Sequence, residues 1–365
     1  MKRILHITGG AMNRSDGIAN FVMNVYRRID RSKYQFDFLV MEDQPGEYDP
    51  EIEALGGRIY HADRLSSHLL RHTRQVYQLM KHENYLALHR HTAVSLSWPD
   101  FYAAKKAGVQ NRICHSHGTT CTQMAMHKLF YPLFHPNITH RLACGEAAGK
   151  WLYRAGESFQ VQKNGVDTER FQFDAAVRAE QRNALGADKD TLIVGSVGRL
   201  APEKNQALLL DAFSEVRKRR ENSLLILLGV GPLEEALKNQ AEALGIADHV
   251  LFPGVTDDVP RWLDAMDVAV YPSLFEAFPI SVLEGEASGL ATVISDHIPL
   301  EVDVLGKLIQ MPLEQDKSAW ADAILSAYEC SKTADRQSAG RQVLEAGYDI
   351  QNTAKQLEQF YDTLR

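Results

Sequence analysis

Cysteine is scarce in this chain: four among 365 residues, Cys114, Cys121, Cys144 and Cys330, with no Cys-x-x-Cys pair. That scatter excludes a disulfide framework and a thiolate zinc module, and it reads as reduced, small, buried core residues of a cytosolic protein. Long apolar runs are missing as well. No stretch approaches the roughly 18 uninterrupted apolar residues of a membrane span. The first apolar run, Ile4 to Thr8, has only strand length, and Gly9 and Gly10 follow at once, so it reads as a first strand and not as a secretory leader. Short repeats and low-complexity tracts are absent.

What is present is ordinary globular material, 45% hydrophobic and 24% charged. The chain is too long for one typical domain and suits two. Net charge is −7, unevenly spread. Residues 1–165 hold 21 Lys and Arg against 14 Asp and Glu, or +7, while the remainder holds 19 against 33, or −14. A basic half suits an anionic lipid surface or a phosphorylated substrate; the plainer alternative is charge segregated between domains. The cations of the basic half include Arg27, Arg28, Arg31, Lys33, Arg64, Arg71, Arg74, Lys105 and Lys106. Nothing points to nucleic acid.

Short apolar strands alternate with helical stretches throughout. In the first half the strands are Ile4–Thr8, Phe36–Val40, Arg58–His61, Leu86–Thr92, Arg112–Gly118, Arg141–Cys144 and Val161–Asn164. In the second they are Leu192–Val197, Leu224–Leu228, His249–Phe252, Val268–Tyr271, Thr292–Ile294 and Leu308–Gln310. Ile18, Phe21, Val22 and Val25 recur at helical spacing, as do Leu209, Ala212, Phe213 and Val216. This alternation predicts α/β architecture, with parallel sheets covered by helices on both faces. The boundary falls at Asn164-Gly165-Val166-Asp167. The expected division is 1–165, 166–345 and a C-terminal helix in 346–365 that packs back on the first domain.

Two stretches carry chemistry. Ser273-Leu-Phe-Glu276-Ala-Phe278-Pro279-Ile280-Ser281-Val-Leu-Glu284 follows a buried strand. Pro279 suits the first position of a helix, where its missing N–H costs nothing. The free N–H groups of Ile280 and Ser281 then form an anion site. Glu276 in the loop and Glu284 one turn into the helix would accept hydrogen bonds from hydroxyls of the same ligand; a solvated helix face would also carry two such glutamates. The second stretch, Gly198-Arg199-Leu-Ala-Pro-Glu203-Lys204-Asn205, again follows a strand. It puts a guanidinium fork and a compact ammonium in one loop, which suits phosphate oxygens.

Together, Gly-Arg-(four residues)-Lys-Asn and the later Glu-(seven residues)-Glu resemble the retaining glycosyltransferases of family 4. Asn164-Gly165-Val166-Asp167, Leu227 to Leu233 and Val255 to Asp267 extend the likeness over nearly the whole chain. Phe36 to Val40, Leu55-Gly56-Gly57 and His115-Ser-His117 resemble capsule and exopolysaccharide enzymes. The resemblance implies the GT-B fold, two facing Rossmann-like domains with the active site in the cleft between them. It implies that Arg199 and Lys204 bind the donor diphosphate and stabilise the leaving nucleotide, that Glu284 holds the ribose and that Glu276 orients the donor sugar. Gly17 matches a glycine near the donor phosphates, although Asp16-Gly17-Ile18-Ala19 stands where the family usually has two glycines. Ala277 stands where glycine is usual. Phe278, Ile280 and Ser281 complete the expected donor contacts.

His89/His91 and His115/His117 form two His-x-His pairs, each sharing one face of a strand. A four-histidine metal cluster would need acidic partners nearby, and none is evident. The resemblance suggests His117 at the donor sugar with His115 as the close second; His89, His91 and His115 are candidates for the acceptor side, and His89 and His91 would equally pack as satisfied core histidines. Asp257-Asp258 and Glu301-Val-Asp303 lack the strand context of a metal-binding Asp-x-Asp, so neither metal nor cofactor is expected. The expected donor is a nucleotide sugar, UDP-linked in preference to GDP-linked. The expected acceptor is a saccharide or a polyprenyl-linked saccharide, used by a cytoplasmic enzyme peripheral to the inner face of the plasma membrane. A nucleotide-sugar 2-epimerase of the same architecture and a non-catalytic sugar-nucleotide-binding protein are the alternatives.

Overall fold

The computed structural model describes residues 1–121 and 123–365. The chain forms two compact units, residues 1–165 with 350–365, and residues 166–349. The first holds a parallel sheet of β1 (Lys2–Ile7), β2 (Tyr34–Val40), β3 (Ile59–His61), β4 (Tyr85–Thr92), β5 (Asn111–Ser116), β6 (His140–Ala143) and β7 (Gln160–Val161). Its order is β3-β2-β1-β4-β5-β6-β7. The second holds β8 (Leu192–Val197), β9 (Ser223–Leu228), β10 (Val250–Gly254), β11 (Val268–Tyr271), β12 (Ala291–Ser295) and β13 (Ile309–Met311), in the order β10-β9-β8-β11-β12-β13. Every strand read from the sequence is present, Leu192–Val197 and Val268–Tyr271 with the same bounds and the others with ends displaced by one to three residues. Both units are thus doubly wound, and each has a point where successive connections diverge, between β1 and β4 and between β8 and β11.

Helices cover both faces of these sheets, so strand residues of either parity are buried. Leu225, Ile226 and Leu227 in β9 are all fully buried. The second core gathers Leu192, Val194, Leu225 and Leu227 from the sheet against Leu209, Phe213 and Val216 of the Gln206–Arg219 helix and Trp320 of the Lys317–Ser331 helix. Burial at this density supplies most of the stability, at roughly 25 cal/mol per Å² of apolar surface.

The last helix, Ile350–Asp362, belongs to the first unit. Ala354, Leu357 and Tyr361 are its buried face. Tyr34 Oη donates to Asp362 Oδ1 at 2.6 Å, and Asn111 Nδ2 donates to the carbonyl of Arg365 at 2.9 Å. Gly165 fits the passage beside this helix because a Cβ there would lie 2.5 Å from Thr353 Oγ1. The return to the first unit begins at Ile350, four residues later than the sequence boundary, because Val166 pairs with Asp349 inside the second unit. One cysteine expectation fails outright: Cys330 is exposed, and Cys121 is only partly covered. Among the described residues no helix is long and apolar enough to cross a membrane.

Candidate active site

The second unit brings its two chemical stretches together at the carboxyl ends of β8 and β11. After β8 the chain turns at Gly198, makes a short 3-10 turn over Pro202–Lys204, and enters the next helix through Asn205 in the left-handed region at φ 53°. After β11 it runs through Ser273 and Glu276 to Pro279. Lys204 Nζ meets Glu276 Oε1 at 2.5 Å across the gap. The backbone N–H of Leu274 donates to the carbonyl of Glu203 at 2.8 Å, and Ser273 Oγ donates to Glu276 at 3.1 Å. The loop after β9 presses from the side: Gly229 sits at φ 139°, and a Cβ there would stand 2.1 Å from the Gly198 carbonyl oxygen.

The other cation, Arg199, pairs with Glu203 on its own loop and stays half exposed. Exposed pairs of this kind contribute about 0–1 kcal/mol, so an incoming phosphate can displace Glu203. The Lys204–Glu276 pair is far less accessible and fixed from several sides. Arg199 is therefore the exchangeable cation and Lys204 the stationary one.

Pro279 corrects the sequence reading: it is the residue before the helix, with extended ψ of 114°, and the helix runs Ile280–Ala287. It makes no side-chain cap bond, so the first N–H groups, Ile280 and Ser281 included, lie open to an anion. Phe278 is buried and stacks on Tyr348 with ring centroids 5.5 Å apart, so its ring faces inward. Glu284 is partly buried, and burial pushes its carboxyl up to about 7, only partly offset by Arg170. Among the described residues nothing hydrogen-bonds that carboxylate. Glu286, two residues on, is different: it accepts from the backbone N–H groups of Val304 (3.0 Å) and Leu305 (3.2 Å) and so holds a loop.

In the first unit the Gly17–Tyr26 helix begins at Gly17, but Asp16 already caps it, accepting from Ile18 N at 2.7 Å and Ala19 N at 3.1 Å. That anion occupies the place a phosphate would take. Gly17 itself is exposed, with no atom within 4 Å of a built Cβ.

The histidines need correction too. His89, His91 and His115 are fully buried, so none can touch an acceptor; only His117 of the four keeps partial exposure. Sequence reasoning missed a fifth member, His6 on β1, which lies in register with His89. Two signals were available: a histidine near the end of the first strand, and pairing of that strand with the one carrying His89. Three of these side chains, His6, His89 and His91, offer ligand atoms within 4.8 Å of one another, as do His91, His115 and His117. Burial holds all five well below the ordinary histidine range, His6 and His117 at about 3. They are neutral imidazoles.

Residues 15–170 match the family described as Glycosyltransferase Family 4, and residues 177–342 match Glycosyl transferases group 1. The chain belongs to the family 4 glycosyltransferases. A Bacillus subtilis protein with the provisional name glycosyltransferase EpsF is 34% identical over 99% of this chain and 96% of its own length. The Escherichia coli UDP-Gal:alpha-D-GlcNAc-diphosphoundecaprenol alpha-1,3-galactosyltransferase is 30% identical over 60% of each chain. Among solved structures, Anabaena HepE in complex with UDP-glucose superposes over 100% of both chains with a TM-score of 0.82 at 18% identity, a likeness of fold.

The raised Glu284 carboxyl predicts a pH dependence for this glycosyltransferase. Where Glu284 accepts ribose hydroxyls, as the family resemblance implies, those donors would favour the carboxylate and pull its pKa down from about 7, so nucleoside diphosphate binding would release protons near neutrality. Affinity should rise with pH up to about 7 and then level, and Glu284→Gln should flatten that rise. Calorimetry in buffers of different ionisation enthalpy reads both effects.

Proposed function

We propose that this glycosyltransferase moves a hexose from a UDP-sugar to a saccharide carried on a lipid diphosphate, with retention of configuration, in surface polysaccharide or capsule biosynthesis. The observation that carries the donor reading is the Glu284 carboxylate, partly buried and without a hydrogen-bond partner among the described residues, one turn into a helix whose N-terminus is open. Lys204 and the N–H groups of Ile280 and Ser281 would hold the diphosphate, and Arg199 would exchange Glu203 for a phosphate oxygen as charge grows on the leaving group. Glu284 would take the ribose hydroxyls, and Glu276, held by Lys204, the donor sugar. Both cations are side chains, so the reaction is assigned without a metal ion or cofactor. The uridine preference and the lipid-linked acceptor are supported by the printed activity of the Escherichia coli relative.

His117 is assigned to the donor sugar and the rest of the first unit to the acceptor. For a lipid-linked acceptor the enzyme would sit on the inner face of the plasma membrane. Three helices of the first unit support this, Leu69–His82, Trp98–Lys106 and Met124–Phe134, the middle one packed against both others. They expose Leu70 (84%), Leu129 (64%) and Leu133 (47%), and also Lys105, Lys106 and Lys128. Arg27, by contrast, is engaged by Glu51 at 2.6 Å and is a poor lipid contact.

The donor assignment predicts that UDP raises the melting temperature more than GDP, and that transfer persists in chelator. Product NMR should show the donor's anomeric configuration. An inverted product would end the retaining assignment, and release of an epimerised sugar without acceptor would favour the epimerase.

For the membrane, binding to anionic vesicles should weaken as salt rises, at about 1 kcal/mol per well-placed cation, and Leu70→Glu with Leu129→Glu should reduce it about tenfold or more. Equal, salt-insensitive binding to neutral and anionic vesicles would contradict the assignment.

A further inference from the structure

The buried histidines of the first unit are joined by hydrogen bonds, and the join has a direction. His6 Nδ1 lies 3.0 Å from His91 Nε2, and His91 Nδ1 lies 2.9 Å from His117 Nε2. Separately, the Tyr361 hydroxyl meets His89 Nδ1 at 2.7 Å, and His89 Nε2 meets His115 Nδ1 at 3.2 Å.

These contacts are hydrogen bonds and not a metal cage. The His6 and His91 ring centroids are 5.3 Å apart, their planes 16° apart, and the nitrogens 3.0 Å apart. The difference is the width of one imidazole ring, so the rings meet edge to edge with nitrogen aimed at nitrogen. His91 and His117 show the same relation, with centroids at 5.1 Å and nitrogens at 2.9 Å. Metal ligation needs lone pairs that converge on a third point about 2.0–2.1 Å from each nitrogen. Head-on nitrogens leave no such point between them.

A neutral imidazole carries one N–H. His91 uses both nitrogens, so it donates through one and accepts through the other. Only two arrangements remain. If His91 donated to His6, the proton of His6 would be on Nε2, which is buried with no hydrogen-bond partner among the described residues. A stranded buried N–H is the rarer and costlier defect, since the proton itself is left without an acceptor. In the opposite arrangement His6 Nδ1–H donates to His91, His91 Nδ1–H donates to His117, and His117 carries its proton on Nδ1. That nitrogen has no partner among the described residues, and its ring is the partly exposed one.

We propose that His6 and His91 are positioning residues that fix His117 as the Nδ1–H tautomer, so that it presents a neutral hydrogen-bond donor to an oxygen of the donor sugar. The ligand part rests on the transferase reading; the tautomer does not. A neutral donor of this kind can orient a hydroxyl oxygen but cannot act as a general base through that nitrogen.

The experiment has two arms. In ligand-free protein labelled with 15N-histidine, the ring nitrogen shifts of His6, His91 and His117 should be pyrrole-type at Nδ1 and pyridine-type at Nε2. His91→Asn, whose amide nitrogen replaces the Nδ1 donor, should keep His117 in that form, whereas His91→Leu should leave a tautomer mixture. A proton on His117 Nε2 in the parent protein, or the same spectrum for His117 in both variants, would overturn the proposal. In the second arm, His117→Asn places an amide donor at the Nδ1 position and His117→Gln places one at Nε2. The asparagine variant should retain about tenfold more kcat/KM, the value of one hydrogen bond. Equal activities alongside the expected spectra would leave the string in place and remove His117 from the donor sugar.

Discussion

Lys204 and Glu276 meet 2.5 Å apart at the switch point of the second sheet, and the geometry around them follows from that contact. With side chains only 24% and 16% exposed, each partner loses more when the other is removed than an exposed ion pair would. The loops after β8 and β11 are therefore bound to each other, with the Leu274-to-Glu203 backbone bond beside the pair and Gly229 admitting the third loop. The ammonium has three donors, of which Glu276 takes one, and the contact holds Glu276 in one orientation. Arg199 and Glu284 are poised differently. One has a partner weak enough to exchange; the other has no hydrogen-bond partner among the described residues, and burial raises its pKa against the pull of Arg170.

The first unit solves the same problem of buried polarity without charge. On one face of its sheet, neutral imidazoles hydrogen-bond one another, leaving only His6 Nε2 and His115 Nε2 of this group buried without a partner among the described residues. On the other face, His72 Nε2 and Arg90 Nε reach Asp100 at 2.6 and 2.7 Å. Burial alone would raise the Asp100 carboxyl, but Arg90 and His72 outweigh it and hold it below its usual range. Arg90 also donates to the Ile7 carbonyl at 3.0 Å, which steadies the end of β1 close to His6. The tie to the last helix through Tyr361 and His89 gives the terminal segment a structural reason to return to this unit.

The fold was legible because its signals are local. Apolar runs of strand length separated by helical periodicity gave every strand of both sheets, and the family resemblance covers the same two halves. The pairing of Lys204 with Glu276 was not legible, since it depends on which loops a parallel sheet sets side by side across 72 residues. The choice for His89 and His91 between the acceptor side and the core stayed open in the sequence, and His115 was placed at a ligand, for a related reason. Alternation puts each pair on one face of its strand, but only the packing of Phe21 and Tyr361 over that face shows that it is closed. Asp16 in front of Gly17 carried a readable capping signal, and the resemblance drew attention past it to the glycine.

The central claim is that one stationary ion pair links diphosphate binding to the orientation of the donor sugar. A double-mutant cycle of Lys204→Ala and Glu276→Ala tests it most directly, read as nucleoside diphosphate affinity and as single-turnover rate at saturating donor. The account predicts coupling of about 1–3 kcal/mol, with the double variant less impaired than the sum of the singles. Strictly additive losses, or single variants within about twofold of the parent in both quantities, would contradict it.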